Sequence, residues 1–438
     1  MAAIDKDILR LALPALGALI AEPIFLLTDT AMVGHLGADA LGALAIASTI
    51  LQTVLGLMVF LAYATTPRVA KRMGAGDRPG AITAGFDGIW LALCTSVVLL
   101  AVGLPLLGTA IAAFDPGVGI TAGAHAYLAI SWWGLPFMLV VIASTGLLRG
   151  LQDTRTPLAV AAAGCVANIG LNALFIYGLD MGVAGSALGT VIAQAGMCSV
   201  YVVISIRAAK RHSASLRPHW AGVFTSARTS GWLLLRNASL RASLIILVFM
   251  ATALGTTELA AIQVAQSIFF SLALALDSLA IAGQAMIGLQ LGARDTEAVA
   301  AINRRLCLWA VIFGVVVGLI LLAGMGVIPR AFSSDPAVVA TLASLLPVLA
   351  ASMPIAGFVF VLDGVLMGAE DARYLALAQL VAVAGYAMLL FPIVTYWPGA
   401  LGLWAAFCIG FIGLRALTLG WRVRNRNWIH RAVEKGIS

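Results

Sequence analysis

The feature that most constrains this chain is a succession of long apolar runs, broken only by glycine, proline or charge. Twelve segments can be placed, near 8–33, 40–70, 82–113, 119–148, 156–177, 183–207, 230–254, 258–290, 298–328, 337–367, 373–396 and 400–421. About 20 predominantly apolar residues suffice to cross a bilayer, so longer runs must tilt, kink or project past the hydrocarbon. Composition points the same way, with 62% hydrophobic and 10% charged residues. An ordinary soluble domain carries about 45–50% apolar and about 25% charged residues. The expectation is an all-α integral membrane protein with twelve transmembrane helices and little room for a soluble domain.

Lysine and arginine concentrate in alternate connections. With the N-terminus inside, Arg330 lies outside and Arg415 lies within the last span. Every other basic residue falls on inner segments, from Lys6 and Arg10 to the tail residues Arg422, Arg424, Arg426, Arg431 and Lys435. The outer connections carry Asp39, Asp115, Asp180, Glu258 and Asp335. Positive-inside bias then puts both termini in the cytoplasm and supports an even number of spans. The net charge of +7 therefore reflects topology and does not suggest nucleic acid. Cys94, Cys165, Cys198, Cys307 and Cys408 lie far apart in apolar runs with no metal or disulfide spacing, and are expected as small buried residues. The first run is too long and too acidic for a cleavable signal peptide. The Ala/Gly/Leu-rich composition points to a bacterial inner membrane, that is, the plasma membrane of such a cell.

The two halves echo each other at an offset of about 218 residues. "RMGAGD" ending at Asp77 is repeated as "QLGARD" ending at Asp295, and "GLLRGLQDTR" (146–155) as "GVLMGAEDAR" (364–373). Pro136 has its partner in Pro354. Six helices per half give both copies one orientation, so the repeat is parallel, about an axis along the membrane normal. The expected organisation is an N-terminal six-helix bundle (1–210), a basic cytoplasmic linker (211–228), a C-terminal six-helix bundle (229–421) and a basic tail (422–438). Two similar bundles that can rock around a central site argue for a transporter.

Five acids fall inside spans: Glu22, Asp29, Asp87, Asp277 and Asp363. Charge in a bilayer is costly and marks function unless it is paired. Glu22 and Asp29 are seven apart, on nearly the same helix face, with Pro23 between them as a place where the helix can bend. Low dielectric disfavours the charged carboxylate, which makes such an acid a candidate proton site that can also attract a cation. Asn168 and Asn172 are four apart and share a face, suited either to a carboxylate or ligand or to interhelical hydrogen bonding. Asp277 reads equally as functional or structural. Asp363, near the inner end of its helix, is expected to find a local arginine, and Asp87 to be structural. Trp132, Trp133, Phe137 and Met138 could line a cavity for flat cations or simply pack.

Intramembrane enzyme motifs are missing: there is no GxGD aspartyl-protease pair, no GxSG, no DDxxD and no HExxH. The motifs present instead resemble, across the whole chain, the multidrug and toxic compound extrusion (MATE) transporters, and more closely their DinF-like branch. "EPIFLLTDTAMVGHLG", "LLRGLQDTRTPL", "NIGLNALFIYG", "LRASLIILVF", "LDSLAIAGQAMIG" and "VLDGVLMGAEDAR" carry the resemblance in order and spacing.

The resemblance implies two six-helix bundles forming a V around a central cavity, and export of organic cations or amphiphiles in exchange for H⁺ or Na⁺. Asp29 matches the family's first-helix coupling aspartate, and Asn168 and Asn172 its fifth-helix polar pair. Some proton-coupled relatives have aspartate at the second of these, so Asn172 departs from a two-acid relay. Sodium-coupled relatives carry a glutamate in the seventh helix, and no acid occurs from Arg228 to Gly255. The expected function is proton-coupled efflux with Asp29 and Glu22 in coupling, Pro23 as hinge, and Asn168, Asn172, Asp277, Trp132 and Met138 at the substrate cavity. Sodium-coupled efflux and flipping of a lipid-like substrate are the alternatives. The expected partners are small-molecule organic cations or amphiphiles, protons or Na⁺, and membrane lipid, for a monomer without cofactor or metal.

Overall fold

Backbone groups that cannot reach water must pair within their own segment, and the chain is helical almost throughout. The computed structural model describes residues 2–115 and 117–434, so Lys435 of the tail lies outside them. The first half forms α1 (Ala2–Gly34), α2 (Ala38–Met58), α3 (Phe60–Gly74), α4 (Arg78–Ala112), α5 (Val118–Trp132), α6 (Leu135–Gly150), α7 (Arg155–Ala173) and α8 (Gly182–Arg211). The second half forms α9 (Trp220–Leu254), α10 (Thr256–Gly292), α11 (Thr296–Ala323), α12 (Ile328–Phe332), α13 (Pro336–Gly368), α14 (Ala372–Tyr396), α15 (Ala400–Ala405), α16 (Ile412–Arg424) and α17 (Asn427–Glu434). Single π-helical turns extend α7 (Leu174–Gly178) and join α15 to α16 (Ala406–Phe411). Eleven of these stretches are long and apolar enough to cross a membrane, and the count is twelve when α5 and α6 form one span.

That pair is the one place where an expected span breaks. The segment read as a single run over 119–148 bends by 50° between Trp132 and Leu135. Pro136 cannot donate to the carbonyl of Trp132, and its ring crowds that carbonyl. Gly134 keeps an ordinary φ of −76°, and a Cβ there would lie 2.6 Å from Gln194 Oε1. At the equivalent Pro354 the residue two before is Ser352, and α13 runs through unbroken.

The repeat is visible atom by atom. Asp77 caps α4 by accepting from the Gly80 amide at 2.8 Å, and Asp295 caps α11 by accepting from the Ala298 amide at 2.9 Å. Positive φ recurs at the same offset, at Gly37 and Gly255, Gly76 and Arg294, and Gln152 and Glu370. Close helix approach recurs too. A Cβ on Gly146 or Gly150 of α6 would lie 2.9 Å from the Ala62 carbonyl oxygen or 2.8 Å from that of Thr66 on α3. A Cβ on Gly368 of α13 would lie 2.7 Å from the Gln284 carbonyl oxygen on α10, and one on Gly364 would overlap that of Ala280. Lipid tails give helices no hydrophobic reason to associate, so backbone-to-backbone packing over such GxxxG pairs carries the contact.

Two compact units result, Leu13–Ser230 and Gly231–Ser438 joined by Met1–Ala12. In the first, α3, α4 and α6 pack together, and α8 is flanked by α5, α6 and α7. In the second, α13 is central and packs on α10, α11 and α16.

The boundaries differ from the sequence reading in three places. The linker is shorter than 211–228, because helix begins at Trp220. The start of α9 is tied into the first unit: Asp87 accepts from the His219 amide at 3.1 Å, and Arg68 donates to the Gly222 carbonyl at 3.0 Å and to Ser226. The first turns of α1 belong to the second unit, where Asp5 accepts from Arg305 Nε at 2.5 Å, Arg305 Nη2 at 2.6 Å and Trp309 Nε1 at 2.8 Å. The basic tail holds a helix, α17, whose Trp428, Ile429 and Ala432 are buried against α10 and α11. Of the five cysteines only Cys408 is buried by protein; Cys94 faces outward from α4.

Candidate functional site

Asp29 sits a turn and a half before the end of α1 and is 3% exposed. Four helices of the first unit meet around it. From α7, Asn172 Nδ2 donates to Asp29 Oδ1 and, at 3.3 Å, to Asn168 Oδ1. From α8, Thr190 Oγ1 donates to Asp29 Oδ2 at 3.5 Å and accepts from Asn168 Nδ2 at 3.0 Å. From α5, the Tyr127 hydroxyl donates to the same Oδ2 at 3.4 Å. Gly189 makes the arrangement possible, since a Cβ there would overlap Asn172 Oδ1. Asn168, Asn172 and Ser186 are fully buried beside the carboxyl.

Every contact named here between Asp29 and its surroundings comes from a neutral group. One amide donor, that of Asn172, fixes one carboxylate oxygen. The two hydroxyls on the other oxygen can donate or accept by rotating, so the pocket can host either a carboxylate or a carboxylic acid. Buried carboxyls elsewhere are held differently. In the second unit Asp363, 4% exposed, accepts from Arg236 Nη2 at 2.8 Å and from Arg415 Nη2. Two guanidiniums hold that group as a fixed anion, which supplies the local arginine expected from its position, twice over. Asp87 is consumed in anchoring the connection to α9.

The remaining sequence candidates scatter. Glu22 is exposed on the protein surface of α1, beside Gln52 of α2, and does not join Asp29. The two share a helical face by angle, but seven residues separate them by about 10.5 Å along the axis. Pro23 lies within an unbroken α1. Trp132 is buried in packing: its indole donates to the Leu99 carbonyl at 2.9 Å and fills the space left by Gly103. Met138 packs beside Val141, Leu148 and Tyr201. Asp277 is half-buried in the second unit. Tyr127, Thr190 and Ser186 were not singled out from sequence, because hydroxyls are ordinary in spans and these come from helices distant in the chain. Among the described residues no cluster of three or more His, Cys, Asp or Glu could hold a metal.

Twelve apolar spans in two repeated bundles, with one buried carboxyl in a neutral polar pocket, define a multi-span membrane transporter and not an enzyme. The chain belongs to the MATE family of multidrug efflux transporters: the MatE family model matches residues 14–174 and again 233–393, one match in each half. The chain is 30% identical to DNA damage-inducible protein F of Escherichia coli K12, over 97% of this chain and 93% of that protein. It is also 30% identical to protein DETOXIFICATION 43 of Arabidopsis thaliana, over 94% and 89%. Its fold matches the bent form of the Vibrio cholerae MATE transporter VcmN with a TM-score of 0.89 at 20% identity, covering 98% of this chain and 99% of that one.

Proposed function

We propose that this transporter exports organic cations or amphiphilic drugs in exchange for protons, with Asp29 as the group that takes up and releases the proton. The observation that carries this reading is the contact set of Asp29, a buried carboxyl facing amide and hydroxyl groups and no cation among its named partners. A buried acid without a cationic partner is costly to keep charged, so its charge is available for exchange between a proton and a cationic substrate. The distribution of lysine and arginine supports a cytoplasmic location for both termini. Facing inward, deprotonated Asp29 helps hold the substrate. After the substrate leaves on the outer side, a proton from outside neutralises Asp29, α1 bends near Pro23, and the neutral carrier returns. The membrane potential adds about 2.3 kcal/mol per charge per 100 mV only if the cycle moves net positive charge inward.

Sodium coupling is the second reading, and one observation favours it. Asn172 Oδ1 is buried and accepts no hydrogen bond among the described residues, so an oxygen is left over beside the carboxylate. The experiment that separates the two is uptake of a fluorescent cationic dye in proteoliposomes, driven by a pH gradient without sodium or by a sodium gradient alone. Proton exchange predicts pH-driven transport that Asp29→Asn abolishes. Transport driven only by sodium assigns the pocket to Na⁺.

A further inference from the structure

A second pocket lies among helix ends of the first unit, apart from Asp29. A pocket of about 310 Å³ opens among Met73 at the end of α3, Arg78 and Ile82 at the start of α4, Leu151 after α6, and Ala208, Arg211 and His212 at the end of α8. That volume is at the small end of the range of about 300–1,000 Å³ for ligand sites. Its walls are apolar and its rim is basic. Arg78 and Arg211 are exposed, and among the described residues neither they nor His212 form an ion pair. The acids at this end are already engaged. Asp77 accepts from Gly80 and lies 3.7 Å from Arg72, and Asp153 accepts from the Arg155 and Thr156 amides at 3.0 Å and the Thr156 hydroxyl at 2.6 Å.

The internal repeat shows what such a place looks like when it is filled. In the second unit the corresponding helix ends are Gly292 of α10 and Thr296 of α11, and α17 lies against those two helices. Thr296 stands where the first half has Arg78, Ile429 of α17 is buried, and Arg426 closes the contact by pairing with Glu297 at 2.6 Å. One half therefore covers this spot with its own amphipathic helix. The other leaves it open and carries Arg78 where its counterpart has Thr296.

We propose that the open pocket binds the phosphate headgroup of an anionic phospholipid. Arg78 and Arg211 engage the phosphate, and Met73, Ile82, Leu151 and Ala208 receive the first carbons of the acyl region. Basic pockets between helix ends at the membrane surface suit anionic headgroups, whereas a purely soluble anion gains nothing from the apolar wall. Bound there, the lipid bridges the ends of α3, α4 and α8 as α17 bridges its helices in the other half.

The test is thermal unfolding of the whole purified protein in detergent, titrated with phosphatidylglycerol, phosphatidylcholine or inorganic phosphate. The expected result is stabilisation by phosphatidylglycerol alone, with an apparent Kd about 30-fold weaker in the Arg78→Gln/Arg211→Gln variant, taking the usual attraction of a basic side chain to an anionic surface. Ala208→Phe fills the pocket without changing charge and is expected to remove the response as well. This keeps the test decisive if the double variant folds poorly. An equal phosphatidylglycerol response in wild type and in both variants overturns the proposal. A response to inorganic phosphate matching that to phosphatidylglycerol overturns the lipid assignment in favour of a soluble anion.

Discussion

Asn172 of α7 donates its side-chain amide to the carboxylate of Asp29 on α1, and the same nitrogen reaches Asn168 Oδ1 at 3.3 Å. One amide thus fixes the only carboxylate oxygen that the hydroxyls do not serve. Asn172→Leu keeps the volume and removes the donor. A hydrogen bond to a charged group contributes about 1.5–3 kcal/mol, so the variant is expected to lose about tenfold or more of its pH-driven dye transport. Its thermal midpoint should move much less than its transport rate. Unchanged transport in proteoliposomes would take Asn172 out of the site.

Asp363 between Arg236 and Arg415 makes the opposite prediction. Asp363→Ala leaves two buried guanidiniums facing each other without their anion. Removing one partner of a buried pair typically costs about 3–5 kcal/mol, so this variant should unfold at a markedly lower temperature in detergent. Asp29→Asn, which removes no partner of a cation, should unfold close to wild type. Equal thermal losses in the two variants would erase the distinction drawn between a fixed and an exchangeable carboxyl.

Gly146 and Gly364 occupy equivalent positions in the two halves. Gly146→Val and Gly364→Val each drive a side chain into the carbonyl of a neighbouring helix, Ala62 on α3 or Ala280 on α10. Overpacking of this kind costs about 1–3 kcal/mol. Both variants should therefore lower the thermal midpoint, and Gly413→Val, which meets nothing within 4 Å, should not. A clear effect in one half alone would mean that the two glycine seams do not carry equal weight.

Trp132 separates packing from binding. Trp132→Phe removes the indole N–H that reaches the Leu99 carbonyl and should cost about 0.5–1.5 kcal/mol of stability. The dye concentration for half-maximal transport should stay put. A several-fold change in that concentration with unaltered thermal stability would return Trp132 to the substrate cavity.

Much of this was legible in the sequence where a residue type is rare for its surroundings. A carboxyl in an apolar run is conspicuous, so Asp29 stood out, and the spacing of Asn168 and Asn172 put both amides on one face, where the structure has them. The glycine and aspartate pairs of the repeat were legible because they recur with their neighbours at a constant offset. Tyr127 and Thr190 were not, because a hydroxyl in a span carries no signal until another helix brings it to a carboxyl. Helical angle says nothing about depth: Glu22 shares the face of Asp29 but lies about 10.5 Å from it along the axis, beside Gln52. The tail was read by its charge alone. The spacing of Trp428, Ile429 and Ala432, one apolar face in a basic stretch, was the available sign of α17.

The contacts of Asp5 bear on how the chain is made. Its partners Arg305 and Trp309 lie 300 and 304 residues further on. The opening turns of α1 are made well before these partners, so this ion pair cannot form until the ninth span has been synthesised. For most of translation the second unit lacks its own opening strand of helix, and Asp5 waits in the membrane surface without its guanidinium. Closure of that ion pair waits on the ninth span, so a substitution at Asp5 should act on the maturation of the distant half.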